Sequence, residues 1–179
     1  MARKKAKKSI NSKSLLFIGI SALGLILAIV GLFTPWLTSA NGNVSQGLFA
    51  ELFDKIQKTC TDLKIEIYGV GLVRTFSIIS LVLSLGATTL IVLSALGVFR
   101  LEGLIKLIVS AGIVAVGVML LIFAIGYINS LNAILGQTAY KLLIGVPYGF
   151  GDGLATMGIA SFLLPVGTTI SGVAYLLNK

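Results

Sequence analysis

Side chains able to do chemistry are few in this chain, and they are bunched. Seven charged residues lie between Glu51 and Glu66, around the lone cysteine, Cys60. Arg74 follows near the start of the next apolar run, whereas residues 14–50 carry no charge at all. There is no histidine. One cysteine rules out an intrachain disulfide and a thiol-redox pair. No Asp or Glu falls within an apolar run, which counts against proton-coupled export through an intramembrane carboxylate. Ligands for a metal are lacking too. The expectation is therefore no catalytic residue, no metal and no cofactor: a protein that is not an enzyme. Arg74 is the one intramembrane candidate. At the bilayer centre it would cost about 2.5–3.5 kcal/mol, and far less near the interface. It either faces a pore or bundle interior or, the reading favoured here, snorkels or caps the neighbouring loop. Asn43-Val44-Ser45 fits an N-glycosylation sequon, which makes Asn43 a possible acceptor in an outer loop.

The elements that must position these residues are membrane helices. Hydrophobic residues make up 56% of the chain and charged ones 11%, with a mean hydropathy of +1.03, against roughly 25% charged residues in soluble domains. About 20 apolar residues cross the hydrocarbon layer, and four segments qualify: residues 15–34, 69–99, 107–128 and 154–177. The first run is longer than a signal-peptide core of about 7–15 residues, so it reads as a retained helix rather than a cleaved leader. The expected fold is an all-α, four-helix transmembrane bundle with a small β-containing outer loop. A basic N-terminus at 1–13 precedes a single membrane domain at 14–179. Outer loops fall at about 35–68 and 129–153, and an inner loop at about 100–106.

Net charge is +8, but its distribution is not a nucleic-acid footprint. Arg3, Lys4, Lys5, Lys7, Lys8 and Lys13 crowd the start of the chain. A basic cluster beside a membrane helix is a topology signal attracted to anionic lipid. With Arg100, Lys106 and Lys179 on the same side, both termini are expected to be cytoplasmic. Helix contacts are expected along small residues: Gly24, Ala28 and Gly31; Ser77, Ser80, Ser84, Ala87 and Ser94; Ala111, Ala115 and Gly126; Gly167 and Ser171. Pro165 should loosen the last helix locally.

The first outer loop has two halves. Leu48, Phe49, Leu52, Phe53 and Ile56 recur at helical spacing and predict an amphipathic turn or two. Leu63, Ile65 and Ile67 alternate with polar residues and predict a strand. Residues 36–46, with Asn41-Gly42 as a turn signal, are its expected partner. The apolar face from Leu48 to Ile56 must be covered by lipid, by the strand pair or by a neighbouring molecule.

This arrangement resembles the claudin superfamily, with its peripheral myelin and epithelial membrane proteins. The likeness rests on four helices, inner termini, Trp36 just beyond helix one, Gly47-Leu48-Phe49 where the family has Gly-Leu-Trp, Cys60 near the family's second loop cysteine, and Arg74 opening helix two. Tyr148-Gly149-Phe150-Gly151 resembles the family's small-aromatic stretch before helix four. The first family cysteine is absent, so the family's loop disulfide cannot form, and the Asn178-Lys179 ending lacks a scaffold-binding tail. The resemblance implies an integral protein of the plasma membrane acting in cell–cell adhesion at a junction, as a paracellular barrier or channel, or in membrane organisation. It also implies a homo-oligomer associating side by side through outer loop 1, with Phe49 and Phe53 as anchors. The alternatives are an accessory subunit of a channel or receptor, bound to other membrane proteins, and a small pore or transporter.

Overall fold

The computed structural model describes residues 11–38, 45–62, 64, 69–135, 156–157 and 160–178. Its elements run α1 (Ser12–Phe33), β1 (Pro35–Thr38), β2 (Ser45–Gly47), α2 (Glu51–Asp62), α3 (Val70–Ala95), α4 (Gly103–Leu135), β3 (Thr156–Met157) and α5 (Ala160–Leu177). Three helices, α1, α3 and α4, are long and apolar enough to cross a membrane, and α5 is apolar but shorter. Leu23, Val82 and Ile122 stand exposed in mid-helix. Such surfaces suit hydrocarbon, not water, so this is a membrane protein.

Local chemistry sets the ends of the helices. Asn11 caps α1, its side chain accepting from the Lys13 N–H at 3.3 Å. Pro35 disfavours a helical Thr34, and Thr34 closes the last turn by bonding to the Val30 carbonyl through both its N–H and its hydroxyl. Helix α3 ends four residues earlier than expected, in a Schellman motif. The Gly97 N–H donates to the Ser94 carbonyl and the Val98 N–H to the Leu93 carbonyl, with Gly97 at φ 70°. Helix α4 starts earlier and ends later than its apolar run, at Gly103 and Leu135. The last helix begins at Ala160, not near 154, because Thr156–Met157 is a strand.

The four long helices pack up-down-up-down. Their buried positions follow a 3-4 rhythm: Ser21, Gly24, Ala28, Gly31 on α1; Val73, Ser77, Ser80, Ser84, Ala87, Ile91 on α3; Ser161, Leu164, Thr168, Ser171, Tyr175 on α5. A repeat of 3.5 residues is the seam of left-handed helix packing. Here it is built from small and hydroxylated residues, as close approach in a membrane requires. A Cβ on Gly167 would lie 2.3 Å from the Gly24 carbonyl, and one on Gly31 would lie 2.5 Å from the Leu164 backbone N. Hydroxyls bridge the interior, Ser21 to Thr88 at 2.8 Å and Ser84 to Thr168 at 3.2 Å.

Helix α4 departs from the expected stripe. Ala111 and Ala115 are exposed. The seam instead runs Ser110, Ile113, Gly117, Leu120, Ala124, Tyr127, Leu131. Gly117 marks its closest approach to α5, against the Pro165 carbonyl and Thr169.

At the end where α1 finishes, β1 is the middle strand of an antiparallel sheet in the order β2-β1-β3. Pro35 pairs with Gly47, yet Leu37 pairs with Gln46, so β1 carries one extra residue there. Leu37 and Thr38 also pair with Met157 and Thr156. The first loop therefore pairs partly with itself and partly with the segment before α5. The strand expected at 63–67 is not seen at Lys64, which sits in a turn at φ 55° just after α2. Leu63, Ile65 and Ile67, the Asn41-Gly42 turn, Asn43 and residues 148–151 lie outside the described residues.

Candidate functional site

The capped end of the bundle gathers most of the residues singled out in the sequence. Trp36 lies in the bulge of β1, and a bulge re-aims a side chain. Its ring is buried and its indole N–H donates to the Gly31 carbonyl at 2.9 Å. The indole thus satisfies one carbonyl at the open end of α1 while filling the space above the helices.

Leu48 is buried beside it, in the turn that leads from Gly47 to α2. Helix α2 starts at Glu51, and Glu51 and Asp54 in its first turn complement the positive end of the helix dipole. Its apolar face carries Phe53, Ile56 and Cys60. These cover the ends of α1, α3, α4 and α5, through Leu32, Val70, Val73, Tyr127, Leu131 and Leu164. Phe53 meets Tyr127 with ring centroids 5.8 Å apart. For Leu48, Phe53 and Ile56 the covering is therefore the bundle itself.

That corrects the expected role of Phe53. It is only 1% exposed, so it offers no surface to a second copy. Phe49 differs: at 53% exposure it projects from the turn. Helical spacing alone put the two on one face, but α2 begins after Phe49.

Arg74 locks this cap. Its Nε donates to the Leu48 carbonyl at 3.0 Å, and Nη2 to the Ala50 carbonyl at 3.4 Å. Nη1 and Nη2 reach the two oxygens of Asp54 at 2.5 and 3.2 Å. The guanidinium carbon lies 5.7 Å from the centroid of the Phe49 ring, within cation–π range. One planar fork thus holds the turn, the first turn of α2 and the exposed aromatic together, a geometry a lysine could not reproduce. A second tie runs through Gln57, whose side-chain oxygen accepts from the Val70 N–H at the start of α3.

Arg74 therefore caps the loop. Asp54, Gln57 and Tyr127 complete the arrangement and were not singled out in the sequence. Their partners lie far along the chain, so no local spacing marks them.

Cys60 is fully buried, and burial pushes its thiol above the usual range. A buried neutral thiol is inert. The Tyr127 hydroxyl, buried nearby, has no hydrogen-bond partner among the described residues. No group of three metal-ligating side chains occurs among them either. What the cap can do chemically is present a fixed aromatic and a mixed-charge surface. No family model, curated protein or solved structure matches the chain.

Proposed function

We propose that the chain is a non-enzymatic tetraspan membrane protein whose capped end is an outer interaction surface. In this reading α5 crosses the bilayer like the other three helices and both termini are cytoplasmic. The protein belongs in the plasma membrane and associates laterally, in the claudin-like manner of adhesion, barrier formation or membrane organisation. The observation that carries the reading is Phe49, an exposed aromatic fixed in place by Arg74. A large apolar side chain held rigidly at a surface is the kind of anchor that protein contacts use.

The test is crosslinking in native membranes of the wild type and of Phe49→Asp, after both are shown to reach the surface. Loss of the crosslinked species in the variant is expected. Equal crosslinking would remove lateral assembly through this loop. Co-purification of a larger membrane protein in mild detergent would then favour an accessory subunit.

A further inference from the structure

At the opposite end of the bundle α1 begins, the α3–α4 connection turns and α5 finishes. In sequence, the segments that lead into, join or leave the helices there hold nine of the fourteen basic residues: Arg3, Lys4, Lys5, Lys7, Lys8, Lys13, Arg100, Lys106 and Lys179. Glu102 is the only acidic residue in those segments. The remaining five basic and five acidic residues lie elsewhere in the sequence and cancel, so these segments account for the full +8.

Among the described residues of this end, Lys106 is held in place. Lys106, on the first turn of α4, donates to the Asn178 backbone carbonyl, and its ammonium lies 5.6 Å from the Tyr175 ring centroid. An ammonium has three donors, so this geometry fixes its position without exhausting it. The two residues it touches also carry two of the buried oxygens that lack a partner among the described residues, the Tyr175 hydroxyl and the Asn178 side-chain oxygen. Tyr175 is 2% exposed and Asn178 3%. Arg100 lies on the same hairpin, in a 3.2 Å pair with Glu102. Both partners of that pair are largely exposed, so an anion can replace the carboxylate at little cost. Around the two cations the hairpin exposes Val98, Phe99, Leu104 and Ile105. Basic heads ringed by apolar side chains match the boundary between lipid headgroups and tails.

We propose that Lys106 and Arg100 form a seat for the phosphate of an anionic phospholipid in the adjoining leaflet. Lys106 is the contact held in place, over the Tyr175 ring and against the Asn178 carbonyl, and Arg100 is the exposed one. The flanking apolar residues take the upper acyl chains. The seat is independent of which leaflet this end faces and of what the capped end binds.

The experiment reconstitutes the full chain in phosphatidylcholine bilayers and compares the association of spin-labelled phosphatidylglycerol with that of spin-labelled phosphatidylcholine. The wild type is expected to prefer the anionic lipid. R100Q/K106Q should lower that ratio by up to about fivefold for each charge removed, while R100K/K106R should hold it. K58Q/K64Q, at the capped end, should leave it unchanged. A wild-type ratio near one overturns the proposal whatever the variants do. So does a wild-type preference that R100Q/K106Q retains, or one that both neutralised pairs reduce alike.

Discussion

Arg74 on α3 and Asp54 on α2, twenty residues apart in the chain, meet through a forked pair at 2.5 and 3.2 Å. Their side chains are 20% and 60% exposed. The same guanidinium serves two backbone carbonyls of the turn before α2. This is an anchor for a loop rather than a charge in a pore, and its parts are unequal in weight.

Asp54→Ala should cost well under 1 kcal/mol, as expected of a largely exposed ion pair. Arg74→Ala should cost about 1–3 kcal/mol, because it strands the Leu48 and Ala50 carbonyls. The reporter is Cys60, the only thiol, on the buried face of α2. Its modification by a maleimide in folded protein should be slow in the wild type. It should be about tenfold faster for each 1.4 kcal/mol that Arg74→Ala removes from the closed cap. Equal rates in both proteins would mean that Arg74 does not hold α2 down. With an impermeant reagent on intact cells, the Arg74→Ala variant also reads the orientation, since labelling is expected from outside.

Cys60 gives the cap a pH dependence of known sign. Burial raises its thiol above the ordinary value of 9.0. The contribution of the neutral thiol is therefore complete below that value and is lost as pH rises from there through the folded-state value. Wild type should lose stability relative to Cys60→Ser as pH climbs above about 9. Parallel melting curves for the two proteins across that window would contradict it.

Trp36→Ala should cost on the order of 3 kcal/mol, as for a buried aromatic, and open the first loop to protease. Trp36→Phe keeps an aromatic side chain but loses one ring of the indole together with the bond to the Gly31 carbonyl, so a smaller cost, about 1–2 kcal/mol, is expected. The ordering of the two in a detergent thermal melt is the check.

The helix seam predicts which glycines tolerate a methyl group. Gly167→Ala drives a Cβ into the Gly24 backbone at 2.3 Å and should cost about 1–3 kcal/mol. Gly19→Ala and Gly112→Ala meet nothing within 4 Å and should be neutral or gain up to about 1 kcal/mol from reduced chain entropy. Melting temperatures in one detergent decide this.

Much of the bundle was legible because small residues at 3-4 spacing mark close helix contacts, as Gly24, Gly31, Ser80 and Ser84 do. Helix α4 was not, since it is apolar all round. Ala111 and Ala115 look like an interface but face outward, while Ile113 and Leu120 fill the seam. Of the cap, Trp36 and Arg74 could be singled out by type and place. Strand β3 is only two residues long, too short for an alternation to show. The burial of Phe53 depends on where α2 starts, which helical spacing leaves open by a turn.

The most direct test of the interaction surface places one thiol beside Phe49 and leaves that ring in place. Glu51→Cys in a Cys60→Ser background puts a single cysteine at an exposed position two residues from Phe49. Mild oxidation of native membranes should trap a disulfide-linked dimer. A control with its one cysteine at exposed Lys58 should give far less. If the cysteine at position 51 reacts with an impermeant maleimide but yields no more dimer than the control, the capped end is not a surface through which copies of this chain associate.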